Sequence, residues 1–255
     1  MKKVAKVLSL ALAVGCVASM AGMTTACNKD KTLKIGYTIY APMNYTDETT
    51  GKFVGFDTEF AEKVCSELGY KAEFVEIVWE TKVVSLQSKE IDCIWNGMTI
   101  TDELKAEILI SDPYLENKQV LVMKADKVSK FTSSASLASA ESIAYETGSA
   151  ADGLIQALNL TGVEMNGCEG QRDALFEVST GASEVAVIDY TMAKAMTGAG
   201  TDYSGLTFVE VDFPTEEYGI GFRKEDTELC QKVNNLIKKY KTDGTFDELI
   251  RKYMA

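Results

Sequence analysis

The chain has 255 residues, 46% of them hydrophobic and 25% charged, which is the composition of a soluble globular protein with one large or two small domains. Its formal net charge is −12, and phosphate backbones and anionic membrane surfaces repel such a chain, so we exclude nucleic acid as a partner. It has no histidine, which excludes Ser-His-Asp and Cys-His catalysis and argues against a transition-metal site.

Residues 1–26 have the pattern of a secretory signal peptide. Lys2, Lys3 and Lys6 precede or interrupt an apolar run, 7–23, that contains no acid and ends in small residues. A retained transmembrane anchor is the alternative, but the run is alanine-rich and only marginally long enough to span a bilayer. Removal of residues 1–26 would take away three lysines and no acid, and would change the formal charge from −12 to −15. This acidity could steer cationic ligands, or could simply be a solvated surface.

Two cysteines compete as the end of the signal peptide. Cys27 follows Ala26 and precedes the polar residues 28–31, whereas Cys16 is followed by more apolar residues. We therefore predict that Cys27 becomes the first residue of a lipoprotein and that residues 27–31 form a short tether. Thr24 stands where an aliphatic residue is usual at such sites, so an unlipidated, secreted form remains the alternative.

The pattern after residue 31 predicts alternating strands and helices. Asp57 caps a helix whose apolar residues share one face and which ends at Gly69. In the first part we expect strands at 33–38, 72–77, 91–95 and 119–124, and helices at 57–68, 82–88 and 102–109.

A second set of elements follows in the order β-α-β-α-β-α, which predicts a parallel sheet with helices on both faces. Its strands are expected at 142–145, 162–165 and 184–188, and its helices at 150–158, 171–178 and 191–196. Strands at 206–211 and 218–223 then return the chain, and amphipathic helices at 226–241 and 245–253 close it.

The four cysteines after Cys27 contain no C-x-x-C pair, so neither a redox motif nor a zinc site is indicated. Cys65 and Cys93 occupy apolar positions and are expected in the core. Cys168 and Cys230 complete the set. No cofactor and no metal are expected.

The stretch 91–114 is the most informative part of the sequence. An apolar strand is followed by a small polar loop at Asn96, Gly97 and Thr99, and then by helix-cap residues Thr101 and Asp102. Ligands bind at the carboxyl ends of strands in open α/β sheets, and helix N-termini there attract anions. The stretch therefore predicts a ligand cradle, with an ordinary strand-loop-helix turn as the alternative.

Four segments in order give the chain a family resemblance. They are GFDTEFAEKVCSELG (55–69), WETKVVSLQSKEIDCIWNGMTIT (79–101), SDPYLENKQVLVMK (111–124) and YGIGFRKEDTEL (218–229). Together they resemble the polar amino-acid family of bacterial extracellular solute-binding proteins, family 3, which feed ABC importers. The resemblance implies a two-lobe α/β periplasmic-binding-protein-like fold of type II, with lobe 1 at 32–123 and 219–255, lobe 2 at 124–218, and a hinge of two crossings. It also implies that Cys65 is a free thiol, since the position matching a partner cysteine is near Ala72.

The same resemblance assigns a ligand site between the lobes. Tyr40 and Trp79 match an aromatic pair that encloses the ligand side chain. Asp189 matches a carboxylate that receives the α-ammonium group; a helix cap is the alternative for it. The loop Asn96, Gly97, Met98 and Thr99 matches groups that hold the α-amino and α-carboxylate groups, and the turn Gly148, Ser149 and Ala150 matches an anion-binding helix start.

One departure puts an α-amino-acid ligand in doubt. The family pattern T-x-x-R places an arginine on the ligand carboxylate, but here Thr101 is followed by Asp102, Glu103 and Leu104. Lys105 lies about 100° further around the helix and cannot replace the arginine. Arg172 is a candidate carboxylate contact, although a solvated arginine at a helix start is the alternative.

The sequence thus predicts a monomeric, lipid-anchored extracytoplasmic receptor that binds a small polar solute, an amino acid or derivative, for ABC transporter permease subunits. Ligand would stabilise a closed form, with no covalent step. A dehydratase acting on cyclohexadienyl acids is a competing function on this fold, but it needs a general acid and a carboxylate-binding arginine. A ligand-sensing module is the third alternative.

Overall fold

A computed structural model describes residues 31–254 of the protein. The predicted signal peptide and Cys27 lie outside the described residues. Within 31–254 no helix is both long enough and apolar enough to cross a membrane.

The first part of the chain contains strands and helices in alternation. They are β1 (Lys31–Tyr37), β2 (Tyr45–Thr46), β3 (Phe53–Val54), α1 (Phe56–Leu68), β4 (Tyr70–Glu76), a 3-10 turn (Trp79–Thr81), α2 (Lys82–Gln87), β5 (Cys93–Thr99), α3 (Asp102–Glu107), β6 (Leu109–Ile110) and β7 (Leu115–Lys124).

The remainder continues this alternation and ends in two helices. Its elements are β8 (Ser142–Glu146), α4 (Ala150–Ala157), β9 (Glu164–Cys168), α5 (Gln171–Thr180), β10 (Val185–Asp189), α6 (Tyr190–Met196), β11 (Leu206–Phe222), α7 (Thr227–Thr242) and α8 (Thr245–Tyr253), with short 3-10 turns at 125–127 and 134–139.

The main sheet has the strand order β4-β1-β5-β11-β7-β10-β8-β9, with β6 added beside β11. β1 pairs in parallel with β4 and β5, and β8 pairs in parallel with β9 and β10. The two parallel sets meet at β11 and β7, which run antiparallel to each other and to their outer neighbours. The sheet is therefore mixed, and the central antiparallel pair joins its two halves.

The pairing of β7 with β11 is interrupted in the middle of the sheet. Residues 120–124 pair with 206–210, and residues 115–118 pair with 215–218, with a register shift between Glu210 and Thr215. A shift of this kind bends the strand that carries the extra residues. The predicted lobe boundaries at 123/124 and 218/219 remain a prediction.

Packing of α1 shows why the apolar pattern folds as it does. Phe60, Ala61 and Val64 lie on one face of α1 and are fully buried against the sheet. Gly69 ends the helix in the left-handed conformation, φ 72°, and its N–H caps helix carbonyls. Cys65 and Cys93 are buried free thiols, which confirms both core positions and the absence of a disulfide at Cys65.

Three expectations about the strands are corrected. Residues 96–99 are the end of β5 and not a loop, residues 206–222 form one strand and not two, and the strand expected at 162–165 runs from Glu164 to Cys168. In each case polar residues or glycine inside a strand produce a sequence pattern that is typical of a loop. The short β2, β3 and β6 have only two residues each, too few to show a periodicity.

Candidate functional site

A small cavity of about 20 Å³ lies where the two halves of the sheet face each other. This volume holds about one water molecule and is far below the roughly 300–1,000 Å³ of sites for drug-sized ligands, so the cavity marks where the two halves meet but leaves no room for a solute in this arrangement. Both halves line it equally: Tyr40, Trp79, Asn96, Gly97 and Thr99 from the first, and Glu146, Ser149, Ala150, Gln171 and Asp189 from the second. Eight of these ten residues were predicted as ligand contacts.

Tyr40 and Trp79 provide the aromatic walls. Both side chains are more than nine-tenths buried. The Tyr40 hydroxyl lies 2.6 Å from that of Tyr218, which fixes its ring. Lys82 Nζ lies 4.8 Å from the centre of the Trp79 ring. The aromatic pair can therefore pack against an alkyl chain or attract a cation, an interaction worth about 0.5–2 kcal/mol.

Asp189 ends β10 and places a buried carboxylate in the cavity. Oδ1 accepts hydrogen bonds from the side-chain amides of Asn117 and, at 2.7 Å, Gln119; Oδ2 accepts one from Gln171. The Asp189 N–H donates in return to Gln171 Oε1 at 2.9 Å. Burial raises the pKa of Asp189, and the amide hydrogen bonds offset part of that rise. A carboxylate has about four acceptor directions; the three amides take three of them, and the Tyr40 hydroxyl also hydrogen-bonds to Asp189.

Glu146 is a second buried carboxylate in the cavity, at the end of β8. Among residues 31–254 it makes no ion pair within 4 Å. Burial and the neighbouring Asp189 carboxylate raise the pKa of Glu146 to about 8, although Lys82 and the Gln171 amide act in the opposite direction. The ionised form of Glu146 therefore has no cation paired with it among the described residues.

A third carboxylate, Glu216, lies in a wider groove that adjoins the cavity at Trp79, Thr99, Ser149 and Ala150. Its Oε2 accepts hydrogen bonds from Thr99 Oγ1 at 3.0 Å, Gln119 Nε2 at 3.0 Å and Asn117 Nδ2 at 3.3 Å. Burial, followed by the Asp189 charge, raises the pKa of Glu216. Within the described part of the chain, no group of three or more His, Cys, Asp or Glu side chains is arranged to hold a metal ion.

The predicted cradle in β5 is bonded mainly to the protein itself. Asn96 Oδ1 accepts from the Thr38 N–H at 3.0 Å, and Asn96 Nδ2 donates to Asn44 Oδ1 at 2.7 Å. The Gly97 N–H donates to Asp57 Oδ2 at 2.7 Å. Gly97 has φ 56°, and an added Cβ would lie 2.7 Å from the Tyr40 ring, so only glycine fits here.

The turn before α4 brings the two halves of the molecule into contact. Lys82 Nζ donates to the Gly148 carbonyl at 2.8 Å and to the Trp79 carbonyl at 3.2 Å. Ser149 Oγ accepts the Asp152 N–H at 3.3 Å and caps α4. Of the predicted turn, Ser149 and Ala150 line the cavity, whereas Gly148 lines the wider groove.

Three further residues lie outside the cavity lining. Met98 is fully buried among the apolar residues of the first half and borders only the groove. Leu104 packs partly against the same apolar cluster and also borders the groove. Arg172 is half exposed, and its guanidinium lies 3.7 Å from Asp202 Oδ2, so in this arrangement Arg172 does not reach the cavity.

Comparison with known families identifies the family to which this fold belongs. The family model for bacterial extracellular solute-binding proteins, family 3, matches residues 33–255. The chain belongs to this family. The family resemblance and the two-lobe fold of type II predicted from the sequence are thereby confirmed.

Several named proteins and solved structures are similar to this chain. The ABC transporter glutamine-binding protein GlnH of Bacillus subtilis is 29% identical over 211 residues, covering 81% of this chain and 74% of the relative. An ancestral arginine-binding protein bound to arginine has a TM-score of 0.80 and 31% identity, covering 88% of this chain and 98% of that one. The ancestral amino acid-binding protein AncCDT-1, a precursor of cyclohexadienyl dehydratase, has a TM-score of 0.79 and 32% identity, covering 88% and 96%.

Sequence reasoning missed several polar residues in and around this cavity. Glu146 closes the apolar strand β8 just as Asp189 closes β10, and that shared pattern was a usable signal. Asn117 and Gln119 are the buried positions that alternate with Glu116 and Lys118 in the polar first half of β7, and buried amides indicate a polar contact. For Gln171 the sequence offers only a position at a helix start.

The raised pKa of Glu146 predicts how stability depends on pH. Between its ordinary pKa of 4.5 and the folded value of about 8, the folded protein keeps a proton that the unfolded chain loses. The free energy of unfolding should therefore fall as pH rises through this window, by at most about 1.4 kcal/mol per pH unit from this group. Urea denaturation without ligand at pH 5 to 8 measures the slope. Glu146→Gln should flatten it, whereas Glu164→Gln, on the exposed edge of β9, should not; equal slopes in both variants would contradict the assignment.

Proposed function

We propose that this protein is the extracytoplasmic substrate-binding component of an ABC importer and captures a small polar solute that carries a cationic nitrogen. The observation that carries the proposal is Asp189, a buried carboxylate held by three amides in a cavity that both halves of the molecule line. Such a carboxylate stabilises an ammonium or guanidinium group, and hydrogen bonds to charged groups are worth about 1.5–3 kcal/mol. The names of the relatives support an amino acid or a chemical relative of one as the solute.

Binding would act through cleft closure. A solute in contact with Tyr40 and Trp79 on one side and with Asp189 on the other would bind the closed form more tightly than an open one. The closed form would then be recognised by the permease subunits. We propose a monomer that acts without cofactor, metal or covalent chemistry.

A thermal-shift screen of the purified protein against amino acids, oligopeptides and polyamines tests the proposal. A solute that binds only the native state must raise the melting temperature, by mass action. We expect a hit among nitrogen-containing cations or zwitterions. If no compound in these classes raises the melting temperature, the proposed function is wrong.

A dehydratase is the second candidate, because Glu146 is a buried acid of raised pKa in the cavity and one structural neighbour is described as a dehydratase precursor. Dehydration of a cyclohexadienyl acid also requires a group that binds the substrate carboxylate. Among residues 31–254, no cationic side chain lines the cavity. We therefore propose binding without turnover, and product formation from such an acid would contradict this.

The substitution Leu104→Arg tests whether the family's carboxylate-binding arginine, here called the arginine clamp, has simply been lost at this position. Leu104→Arg would bring a guanidinium to the groove but would disturb the packing of Leu104 on the cluster that contains Trp79. We expect no gain in affinity for the natural ligand by calorimetry, with Leu104→Met as a packing control. A tenfold tighter complex in Leu104→Arg, about 1.4 kcal/mol, would show that the clamp was merely lost.

Cys27 is proposed as the lipid-anchored first residue of the mature protein, at the outer face of the cell membrane. The basis is the polar stretch at 28–31 directly after it. Mass spectrometry of the N-terminus should find a lipid-modified Cys27. A chain that begins at Val17, or an unmodified Cys27, would contradict the prediction.

A further inference from the structure

We propose that this site takes a small organic cation without a carboxylate, an amine or guanidine, in preference to the corresponding amino acid. The inference rests on the proposed solute-binding function and narrows its ligand class.

The charges around the cavity are the first argument. In the part of the chain that the structure describes, two carboxyl groups, Asp189 and Glu146, line the cavity, and no cationic side chain does. The adjoining groove there contributes five more carboxyl groups and two lysines, Lys82 and Lys105. The Glu146 carboxyl, whose pKa is raised to about 8, would release its proton when a cation binds beside it, whereas a ligand carboxylate would find no cationic side chain among the described residues of the cavity.

Both lysines of the groove already interact with the protein. Lys82 Nζ donates to the carbonyls of Gly148 and Trp79 and is largely buried. Burial lowers the pKa of Lys82, which shows that its charged form is poorly solvated there. Lys105 is mostly exposed and lies 3.2 Å from Asp102 Oδ1. Neither lysine is a free partner for a ligand carboxylate in the cavity.

The helix start that could hold an anion is partly occupied, although the N–H groups of Ala150 and Ala151, the first two residues of α4, have no acceptor within the helix. The Gly148 N–H donates to Asp152 Oδ2 at 2.9 Å, and the Ser149 N–H donates to the Glu146 carbonyl at 3.2 Å. Asp152 itself adds a negative charge in the first turn of α4, which already interacts with the helix dipole. The remaining polar groups of the predicted cradle, the Gly97 N–H and the Thr99 hydroxyl, donate to Asp57 and Glu216.

Glu146 is the observation that points to a cation. Only 4% of Glu146 is exposed, and the residue lines the cavity. Among the described residues, no cationic group lies within 4 Å of its carboxylate. A buried ionised carboxylate is costly unless it is paired. Glu146 and Asp189 end the neighbouring parallel strands β8 and β10, and neighbouring strands lie about 4.8 Å apart. Two adjacent carboxylates suit a planar guanidinium or a diamine, and the Tyr40 and Trp79 rings suit its alkyl chain.

Matched pairs of compounds that differ only in the carboxylate test the inference. The purified protein is titrated calorimetrically at pH 7 with agmatine and arginine, putrescine and ornithine, and cadaverine and lysine. We expect the carboxylate-free member to bind at least tenfold more tightly in every pair that binds. A smaller preference, or the reverse one, overturns the inference.

The outcomes separate this inference from the proposed function. If an amino acid raises the melting temperature and the carboxylate-free compounds do not bind, the inference is wrong and the proposed function stands. If nothing in the wider screen binds, both are wrong.

A variant pair tests the contact itself. Glu146→Gln keeps the shape of the side chain and should weaken the best-binding amine or guanidine at least tenfold, whereas Glu164→Gln, on an exposed position of β9, should not. Thermal denaturation without ligand checks that both variants fold. Unchanged affinity in a folded Glu146→Gln variant overturns the assignment of Glu146 to the cation.

Discussion

Asp189→Asn should weaken ligand binding by one to three orders of magnitude and leave the fold intact. The substitution removes the charge that would pair with a cationic nitrogen, and leaving a buried ammonium unpaired costs about 3–5 kcal/mol. The lower limit of one order follows if only a hydrogen bond to a charged group is lost, about 1.5–3 kcal/mol, because each tenfold change in affinity corresponds to about 1.4 kcal/mol. Calorimetric titration with the solute found in the screen measures the effect.

The surroundings of Asp189 explain why the fold should survive. Asparagine has nearly the same shape, and its N–H can still donate to Gln171 Oε1. Its oxygen can accept from Asn117 and Gln119, but its new N–H₂ group would face the Gln171 amide that now donates to Oδ2. That mismatch costs about 1–3 kcal/mol, and relief from burying a charge offsets part of it.

Asp202→Asn is the matched control for this variant. Asp202 carries the same charge in the same half of the molecule but is half exposed and lies beside Arg172, away from the cavity. If long-range attraction alone mattered, both variants would lose affinity equally. Near-wild-type affinity in Asp189→Asn would mean that Asp189 only begins α6 and that the ligand's charge is met elsewhere.

The sequence predicts the two ends of this cavity for different reasons. The position of residues 96–99 follows from an apolar strand that ends in polar residues, and the family resemblance adds Asp189, Tyr40 and Trp79. Their approach to one cavity depends on the strand order, in which β11 and β7 separate β5 from β10. Neither strand order nor the register shift in β11 leaves a local pattern in the sequence, so the neighbours Asn117, Gln119 and Glu216 could not be placed.

The chemistry of the site was harder to predict than its location. An acid at the end of a strand can cap a helix, pair with a lysine or remain buried, and Glu146 does the last. Arg172 shows the opposite case, since its position at a helix start permitted a contact with the ligand, yet its side chain lies beside Asp202. The difference arises from side-chain direction and from partners distant in sequence, which periodicity does not specify.

Gly148→Ala should prevent full closure and weaken ligand binding by one to two orders of magnitude. Gly148 has φ 72°, and a Cβ there would lie 2.9 Å from the Cα of Glu80, in the other half of the molecule. The atom in the way belongs to the main chain of Glu80, which cannot move aside as the end of a flexible side chain could. The two halves would have to separate, which would also lengthen the 2.8 Å contact between Lys82 Nζ and the Gly148 carbonyl.

Gly162→Ala separates this clash from simple backbone strain. Gly162 has φ 77°, but nothing lies within 4 Å of an added Cβ. Both variants should lose about 1–2 kcal/mol of stability through the left-handed conformation, and only Gly148→Ala should lose affinity. Small-angle scattering with saturating ligand should show a larger radius of gyration for Gly148→Ala than for the wild type and Gly162→Ala. Equal affinities in the two variants would mean that the contact between Gly148 and Glu80 is not needed for binding, and that the ligand is held by a more open cleft.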